Sequence, residues 1–151
     1  MIIKSLDNLN SISIKIANNI SKSDCIFLHG EIGVGKTTFS RNFINYLQKK
    51  ENVEPTEVLS PTFNLLYEYE INSIKIMHYD LYRLKNSKEV KQLGIFDDNK
   101  QTIKIIEWPK LIENNILNRI ELKFSYMKKE NERSLEIKGF GKWKNFKINE
   151  L

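Results

Sequence analysis

The segment at residues 30–37, which reads GEIGVGKT, limits the possible folds of this chain more than any other part of the sequence. It fits the pattern Gly-x-x-x-x-Gly-Lys-Ser/Thr, follows an apolar run over residues 24–29, and precedes apolar residues at helical spacing over 36–49. Glycines accept positive φ angles and let backbone N–H groups approach phosphate oxygens, and the N-terminus of the next helix attracts the same anion. The segment therefore predicts a strand, a loop and a helix that together bind a nucleoside triphosphate.

Residue types within this loop have separate predicted roles. Lys36 reaches the β- and γ-phosphates, the Thr37 hydroxyl ligates Mg²⁺, and Thr38 is the next donor along. The alternative is a glycine-rich turn ahead of a helix, which is disfavoured because three of the chain's six glycines lie in this loop. The predicted nucleotide-binding residues are Gly30, Glu31, Ile32, Gly33, Val34, Gly35, Lys36, Thr37 and Thr38.

A site of this kind also needs a carboxylate at a strand end, which holds Mg²⁺ or orders water. Asp80 ends a segment, Ile74–Asp80, whose apolar and polar residues alternate, which favours an antiparallel strand. Glu107 ends an apolar segment that is typical of a central strand. We therefore predict Glu107 as the direct magnesium-side carboxylate, with Asp80 close to Thr37 or to a metal-bound water. For either residue the alternative is a surface carboxylate.

Four other residues are candidates for supporting roles. Ser60 and Thr62 lie in a Ser-Pro-Thr-Phe segment where a threonine could sense the γ-phosphate, although a proline turn that enters a strand would look the same. Arg83 could neutralise phosphate charge or face a partner, and the alternative is a solvated arginine. Trp108 could stack near the base or cover the magnesium site, and the alternative is a core tryptophan.

The pattern of the whole chain predicts an α/β fold: a single P-loop NTPase-like domain over residues 1–151, with a mixed central β-sheet flanked by helices and with antiparallel hairpins. Gly94 has the residue type that favours the left-handed position after a helix. The predicted helices cover 7–22, 36–49 and 87–93, with a helical turn opened by Trp108 and Pro109, and the predicted strands cover 24–29, 62–70, 73–82, 101–107, 119–127 and 133–137.

Composition excludes several other classes. With 40% hydrophobic and 28% charged residues, the chain is neither disordered nor a disulfide scaffold, and its one cysteine, Cys25, is expected in the core. No apolar run approaches the ~18 residues of a membrane span, and no signal peptide is present, so we expect a soluble cytoplasmic protein without membrane contact. The net charge of +5 permits a nucleic-acid partner, but a lysine-biased composition explains it nearly as well.

Four segments in this order resemble one known family: HGEIGVGKTTF from residue 29, SPTF from 60, HYDLYRL from 78 and EWP from 107. Together they are similar to the bacterial ATPase of tRNA threonylcarbamoyladenosine biosynthesis, the TsaE (YjeE) family. The similarity runs from about Cys25 to Pro109 and extends loosely to Arg133 and Gly139. Glu31 and Val34 stand where the family usually has aspartate and alanine, and Gln92 stands where it has an acidic residue.

The resemblance implies a small ATPase that binds ATP with Mg²⁺ and hydrolyses it slowly. It implies work with two partners, TsaB-like and TsaD-like, that install threonylcarbamoyl on N6 of adenosine 37 in tRNAs reading ANN codons. This subunit is not itself the transferase, and it meets tRNA indirectly or at the surface of the complex. The roles implied are catalysis for Lys36, Asp80 and Glu107, metal binding for Thr37, Glu107 and Asp80, and support from Thr62 and Trp108.

Other functions remain as alternatives. The first is a nucleotide-dependent assembly module whose hydrolysis is incidental. A small-molecule kinase is disfavoured, because such kinases usually need a lid with several arginines and the four arginines here are scattered at 41, 83, 119 and 133. A GTPase is disfavoured because the chain contains no Asn-Lys-x-Asp guanine-binding motif.

Overall fold

The apolar run ahead of the phosphate-binding loop forms the central strand of a seven-stranded sheet in a computed structural model that describes residues 1–97 and 100–148. Residue 151, the predicted end of the domain, lies outside the described residues. The strands are β1 (Ile2–Ile3), β2 (Cys25–His29), β3 (Leu66–Ile71), β4 (Ile74–Asp80), β5 (Thr102–Glu107), β6 (Arg119–Tyr126) and β7 (Arg133–Phe140). The helices are α1 (Leu6–Asn19), α2 (Lys36–Lys50) and α3 (Ser87–Gln92), with 3₁₀ turns over Pro109–Ile112 and Gly141–Trp143.

The sheet has the strand order β1-β7-β6-β2-β5-β4-β3. Its centre is parallel, because β2 pairs in parallel with both β5 and β6, and β4 pairs in parallel with β5. The outer pairs β3–β4, β6–β7 and β1–β7 are antiparallel. The predicted mixed sheet is confirmed, and the carboxyl ends of β2, β4 and β5 meet at one edge, where ligands of open α/β sheets bind.

Alternation along β2 divides the core into two layers. Ile26 and Leu28 point to the face covered by α1 and α2, where they join Phe39 and Phe43 of α2 in one buried cluster. Phe27 points to the other face and packs in a second cluster with residues of α3 and the first 3₁₀ turn. With both faces covered, β2 holds the loop that follows it at a fixed position.

Local sequence fixes the ends of the helices. The Ser5 hydroxyl accepts a hydrogen bond from the Asn8 N–H at the start of α1, and the Asn86 side chain accepts one from the Glu89 N–H at the start of α3. Gly94 follows α3 with a φ of 71°, as its residue type predicted.

The structure corrects the predicted start of the first hairpin strand. Residues 62–65 form a turn rather than the beginning of β3, because the Leu65 N–H donates to the Pro61 carbonyl at 2.6 Å and Leu65 has a φ of 67°. Strand β7 extends to Phe140, three residues beyond its predicted end, and the pattern gave no indication of β1.

The alternation in β4 indicated only part of its pairing. The strand is antiparallel to β3, as that pattern favoured, but it is also parallel to β5. β4 lies between β3 and β5, and its polar residue His78 is fully buried, so the alternation did not indicate the parallel partner.

Cys25 lies in the core as expected, and burial raises the pKa of its thiol well above the usual range. Among the described residues, no helix has the length and apolar character required to cross a membrane.

Candidate nucleotide-binding site

The loop between β2 and α2 has the backbone that its glycines predicted. Gly30, Gly33 and Gly35 have φ angles of 137°, 76° and 123°. A Cβ atom at Gly30 would lie 2.6 Å from the carbonyl oxygen of Phe124 on β6, so a side chain there would collide with backbone. The absence of a side chain at Gly30 therefore allows the loop to pass close to β6. Helix α2 begins directly after the loop, at Lys36.

The side chains between these glycines point to two different places. Val34 is buried in the core cluster that contains residues of α1 and α2, so its side chain attaches the loop to the core. Glu31 and Ile32 are exposed, which leaves the backbone of the loop accessible. The Tyr126 hydroxyl at the end of β6 donates to the Ile32 carbonyl at 2.7 Å, and the Arg133 guanidinium lies 4.5 Å from the centre of the Tyr126 ring. No sequence pattern had indicated this second attachment of the loop.

Lys36 is buried and folds back on its own loop. Its ammonium group donates to the carbonyls of Gly30 and Glu31 at 2.7 and 2.8 Å and lies 4.4 Å from the centre of the Trp108 ring. Burial lowers the pKa of Lys36, and the carboxylates of Glu107 and Asp80 oppose that shift. The lysine is thus a desolvated cation that already faces acceptor oxygens.

Glu107 lies against the start of α2. The parallel pairing of β5 with β2 sets Glu107 beside Leu28, one residue before the end of β2. Its Oε1 accepts a hydrogen bond from the Thr37 hydroxyl at 3.2 Å and lies 2.9 Å from Nε2 of His78. The structure therefore brings Glu107 and Thr37 together, the pair that the sequence had linked through Mg²⁺.

Asp80 lies opposite Glu107 in the β4–β5 register. Its two carboxylate oxygens accept from the Thr62 hydroxyl and from the Tyr82 N–H, each at 2.9 Å, and the hydroxyls of Ser60 and Thr62 are also 2.9 Å apart. Among the described residues, the hydroxyl bonded to Asp80 is therefore that of Thr62 rather than Thr37. Burial raises the pKa of Asp80, and these two hydrogen bonds oppose the shift.

Replacing Asp80 by asparagine is expected to stabilise the nucleotide-free protein at neutral pH. A folded-state pKa above its ordinary value near 3.8 means that the charged carboxylate opposes folding. The stability that protonation supplies is full below that value and is lost as the pH rises through the folded-state pKa. A gain of about 1 kcal/mol would raise Tm by about 2–4 °C. Thermal unfolding at pH 7 with Glu54→Gln as the exposed control measures this gain, and a lower Tm for Asp80→Asn would contradict it.

Trp108 has a backbone conformation that is costly for its residue type. Its φ and ψ are 56° and 55°, the left-handed region, which bulky residues rarely adopt. Its ring is 4.7 Å from the ring of Tyr82 on one side and contacts the Lys36 ammonium. Such strain costs on the order of 1–3 kcal/mol and clusters at functional sites. The role of Trp108 as a functional aromatic stays a prediction.

One cleft of about 160 Å³ gathers most of the predicted residues. Arg83 is not among those that line it, because its side chain is exposed and its guanidinium lies 5.6 Å from the centre of the Phe63 ring. The cleft is lined by Ile32, Gly33, Gly35, Lys36, Thr37, Thr38, Ser60, Thr62, Asp80, Glu107 and Trp108.

These groups fit a magnesium-bound nucleotide. Hydroxyl and carboxylate oxygens from Thr37, Glu107 and Asp80 are the hard ligands that Mg²⁺ prefers. The glycine backbone, the N-terminus of α2 and the ammonium of Lys36 supply donors for phosphate oxygens. The sequence had not singled out His78 as part of this site, although a polar residue two positions before Asp80 in an apolar strand was a usable signal.

Comparison with known proteins gives the family. A family model described as "Threonylcarbamoyl adenosine biosynthesis protein TsaE" matches residues 3–135. The chain belongs to the TsaE family. The resemblance drawn from the four sequence segments is confirmed.

Curated TsaE proteins from several bacteria are similar to this chain, and each is named tRNA threonylcarbamoyladenosine biosynthesis protein TsaE. The Rickettsia conorii protein is 38% identical over 99 residues, which cover 66% of this chain and 54% of that protein. The Haemophilus influenzae protein is 39% identical over 88 residues, which cover 58% and 52%. The Bacillus subtilis protein is 33% identical over 95 residues, which cover 62% and 55%. The chain thus spans about half the length of these TsaE relatives.

The fold of this TsaE-family chain is also found in a solved structure. The crystal structure of YdiB from Bacillus subtilis superimposes with a TM-score of 0.70 and 21% sequence identity, covering 95% of this chain and 86% of that one. The predicted α/β, P-loop NTPase-like fold is confirmed.

Proposed function

We propose that this chain is an ATP-binding and slowly ATP-hydrolysing subunit needed for threonylcarbamoylation of N6 of adenosine 37 in tRNAs that read ANN codons. One observation carries the proposal: in a TsaE-family chain, Lys36, Thr37, Glu107 and Asp80 converge on one cleft beside a glycine loop. In this proposal the subunit is not itself the transferase, as the family resemblance implies.

Each side chain of the cleft has a place in this function. Lys36 leaves the carbonyls of Gly30 and Glu31 and binds the β- and γ-phosphates. Thr37, Glu107 and Asp80 hold Mg²⁺, which when bound neutralises phosphate charge. Thr62 is bonded to Asp80, so residues 60–63 respond to whatever Asp80 binds. Trp108 covers the lysine and limits its access to water.

Slow hydrolysis by the isolated chain follows from the cleft's lining. Among the described residues, the side chains that line the cleft include no arginine. An arginine supplied to the transition state is worth 10³–10⁵-fold in the rate of phosphoryl transfer. We therefore place the source of any rate increase in a partner protein.

Two partners, TsaB-like and TsaD-like proteins, complete the proposed function. Exposed apolar side chains near the cleft support such contacts: Phe63 is 81% exposed, Ile32 69% and Tyr82 53%. Large apolar groups left in water at a rim are typical of interaction sites. tRNA is contacted indirectly or at the surface of the complex, and the proposed location is the cytoplasm.

Reconstitution with the two partner proteins, tRNA and ATP tests this proposal. We expect many rounds of modification per complex only when this chain and ATP are both present, and faster ATP hydrolysis in the complex than by this chain alone. Full multi-turnover modification without this chain would refute the function. Rapid hydrolysis by the isolated chain would refute partner stimulation.

Because no arginine lines the cleft among the described residues, a second candidate is also favoured: a nucleotide-dependent assembly module whose hydrolysis is incidental. The Glu107→Ala variant separates the two functions in the same reconstitution. If it supports multi-turnover modification without hydrolysing ATP, the assembly function is correct. If modification stops after one round, hydrolysis drives the cycle.

A further inference from the structure

His78 is a buried polar residue with one hydrogen-bonding partner at the site. It lies on β4 with no exposed surface, two residues before Asp80. Its Nε2 is 2.9 Å from Oε1 of Glu107, while its buried Nδ1 has no hydrogen-bond partner among residues 1–97 and 100–148. A buried imidazole held through one nitrogen alone needs a reason beyond packing, since each buried polar atom without a partner costs stability.

The direction of this hydrogen bond follows from the chemistry of the two groups. An ionised carboxylate has only acceptors, so Nε2 of His78 carries the proton and donates to Glu107. In the neutral imidazole Nδ1 is then the bare acceptor nitrogen. The Thr37 hydroxyl, at the start of α2, donates to the same Oε1 at 3.2 Å.

We propose that His78 is a positioning residue that fixes the carboxylate of Glu107 for its role in metal binding and hydrolysis, a proposal that rests on the proposed function. Two donors on one oxygen, one from β4 and one from α2, hold the carboxylate in a single orientation. The second carboxylate oxygen keeps its acceptor capacity for Mg²⁺ or a metal-bound water. Hydrogen-bonded supports of metal-binding carboxylates typically change metal affinity or activity about 10–100-fold when they are lost.

Two substitutions of His78 separate positioning from packing. His78→Leu fills the space but removes the donor, whereas His78→Gln can present an amide N–H near the position of Nε2. In EDTA, we expect ATP affinity to stay within about twofold of the wild type for both, because His78 is not among the residues that line the cleft. With Mg²⁺, we expect the leucine variant to lose about 10–100-fold in kcat and in the Mg²⁺-dependent part of ATP affinity. The glutamine variant should recover most of both losses.

Tyr79→Phe is the matched control. Tyr79 is the next residue of β4, is equally buried, and faces the other layer of the core, where its hydroxyl donates to the Met77 sulfur at 3.6 Å. Loss of a buried polar group without effect on Glu107 should leave kcat and the Mg²⁺ response unchanged. Equal effects in His78→Leu and Tyr79→Phe would overturn the proposal, and so would a failure of glutamine to restore function in a folded variant.

A spectroscopic measurement on the free wild-type protein keeps the test valid if the leucine variant does not fold. The chain has two histidines, His29 and His78, so long-range ¹H–¹⁵N correlations of the imidazoles are readily assigned with the glutamine variant. The Nε2-protonated form of His78 supports the proposal, and the Nδ1-protonated form overturns it. If the wild-type protein has the Nε2-protonated form of His78 but binds no ATP, the proposed function is wrong. The positioning role is then wrong as well, although the hydrogen bond between His78 and Glu107 is confirmed.

Discussion

Lys36→Ala is expected to abolish tight ATP binding, with at least about 100-fold loss of affinity. The ammonium is held by two neutral carbonyls at 2.7 and 2.8 Å, and negatively charged phosphate oxygens would replace them, so the affinity gained is the excess of the charged pairing over the neutral one. A 100-fold change in affinity corresponds to roughly 2.8 kcal/mol. Isothermal titration of the nucleotide-free protein with ATP and Mg²⁺ measures the effect.

Two controls make the Lys36 result specific. Lys49→Ala removes the same charge from the exposed end of α2 and should leave ATP affinity unchanged. The free energy of unfolding of nucleotide-free Lys36→Ala should be close to the wild-type value, because burial already disfavours the charged lysine and lowers its pKa. Unchanged ATP affinity in a folded Lys36→Ala protein would refute the phosphate-loop assignment.

Glu107→Gln is expected to reduce hydrolysis by about 10²–10⁴-fold, the range for a residue that assists proton transfer or orders water. Glutamine keeps the length and one acceptor oxygen, so the contacts from Thr37 and His78 can persist while the charge is lost. ATP affinity in EDTA should remain near that of the wild type. Single-turnover hydrolysis in the presence of the two partners measures the rate of the chemical step.

Glu113→Gln is the matched control for Glu107. Glu113 follows the first 3₁₀ turn, is half exposed, and does not line the nucleotide cleft. The Glu113→Gln protein should hydrolyse ATP at the wild-type rate. A Glu107→Gln variant with wild-type hydrolysis would transfer the hydrolytic role to another group, with Asp80 as the next residue to examine.

The phosphate loop was predictable because its determinants are local. Glycine at three positions, a lysine and a threonine in one short segment specify both the backbone and the donors, and the structure has the expected positive φ angles. The central strand that ends at Glu107 was also predictable, because the run of isoleucines before it indicated a strand buried on both faces. The hydrogen bond between Glu107 and Thr37 was not predicted, since Asp80 was expected close to Thr37. The role of Glu107 toward Mg²⁺ stays a prediction.

The rest of the site depends on cross-strand register, which a one-dimensional pattern does not contain. The Thr62–Asp80 hydrogen bond joins a turn to the far end of β4. The turn was mistaken for the start of a strand because Thr62 and Phe63 are β-branched and aromatic, residue types that favour strands. His78 appeared as a polar interruption of β4, and only the parallel pairing with β5 places it next to Glu107. Arg83 was grouped with the site by proximity in sequence, yet its side chain turns to Phe63.

The folded-back lysine makes nucleotide binding an exchange of partners rather than a simple addition. Before Lys36 can hold phosphate, it must give up the carbonyls of Gly30 and Glu31, so part of the binding free energy replaces contacts that already exist. Under the proposed function, the same carbonyls would compete for the ammonium after loss of the γ-phosphate and so favour release of the diphosphate. The loop thus contains its own competitor for the lysine.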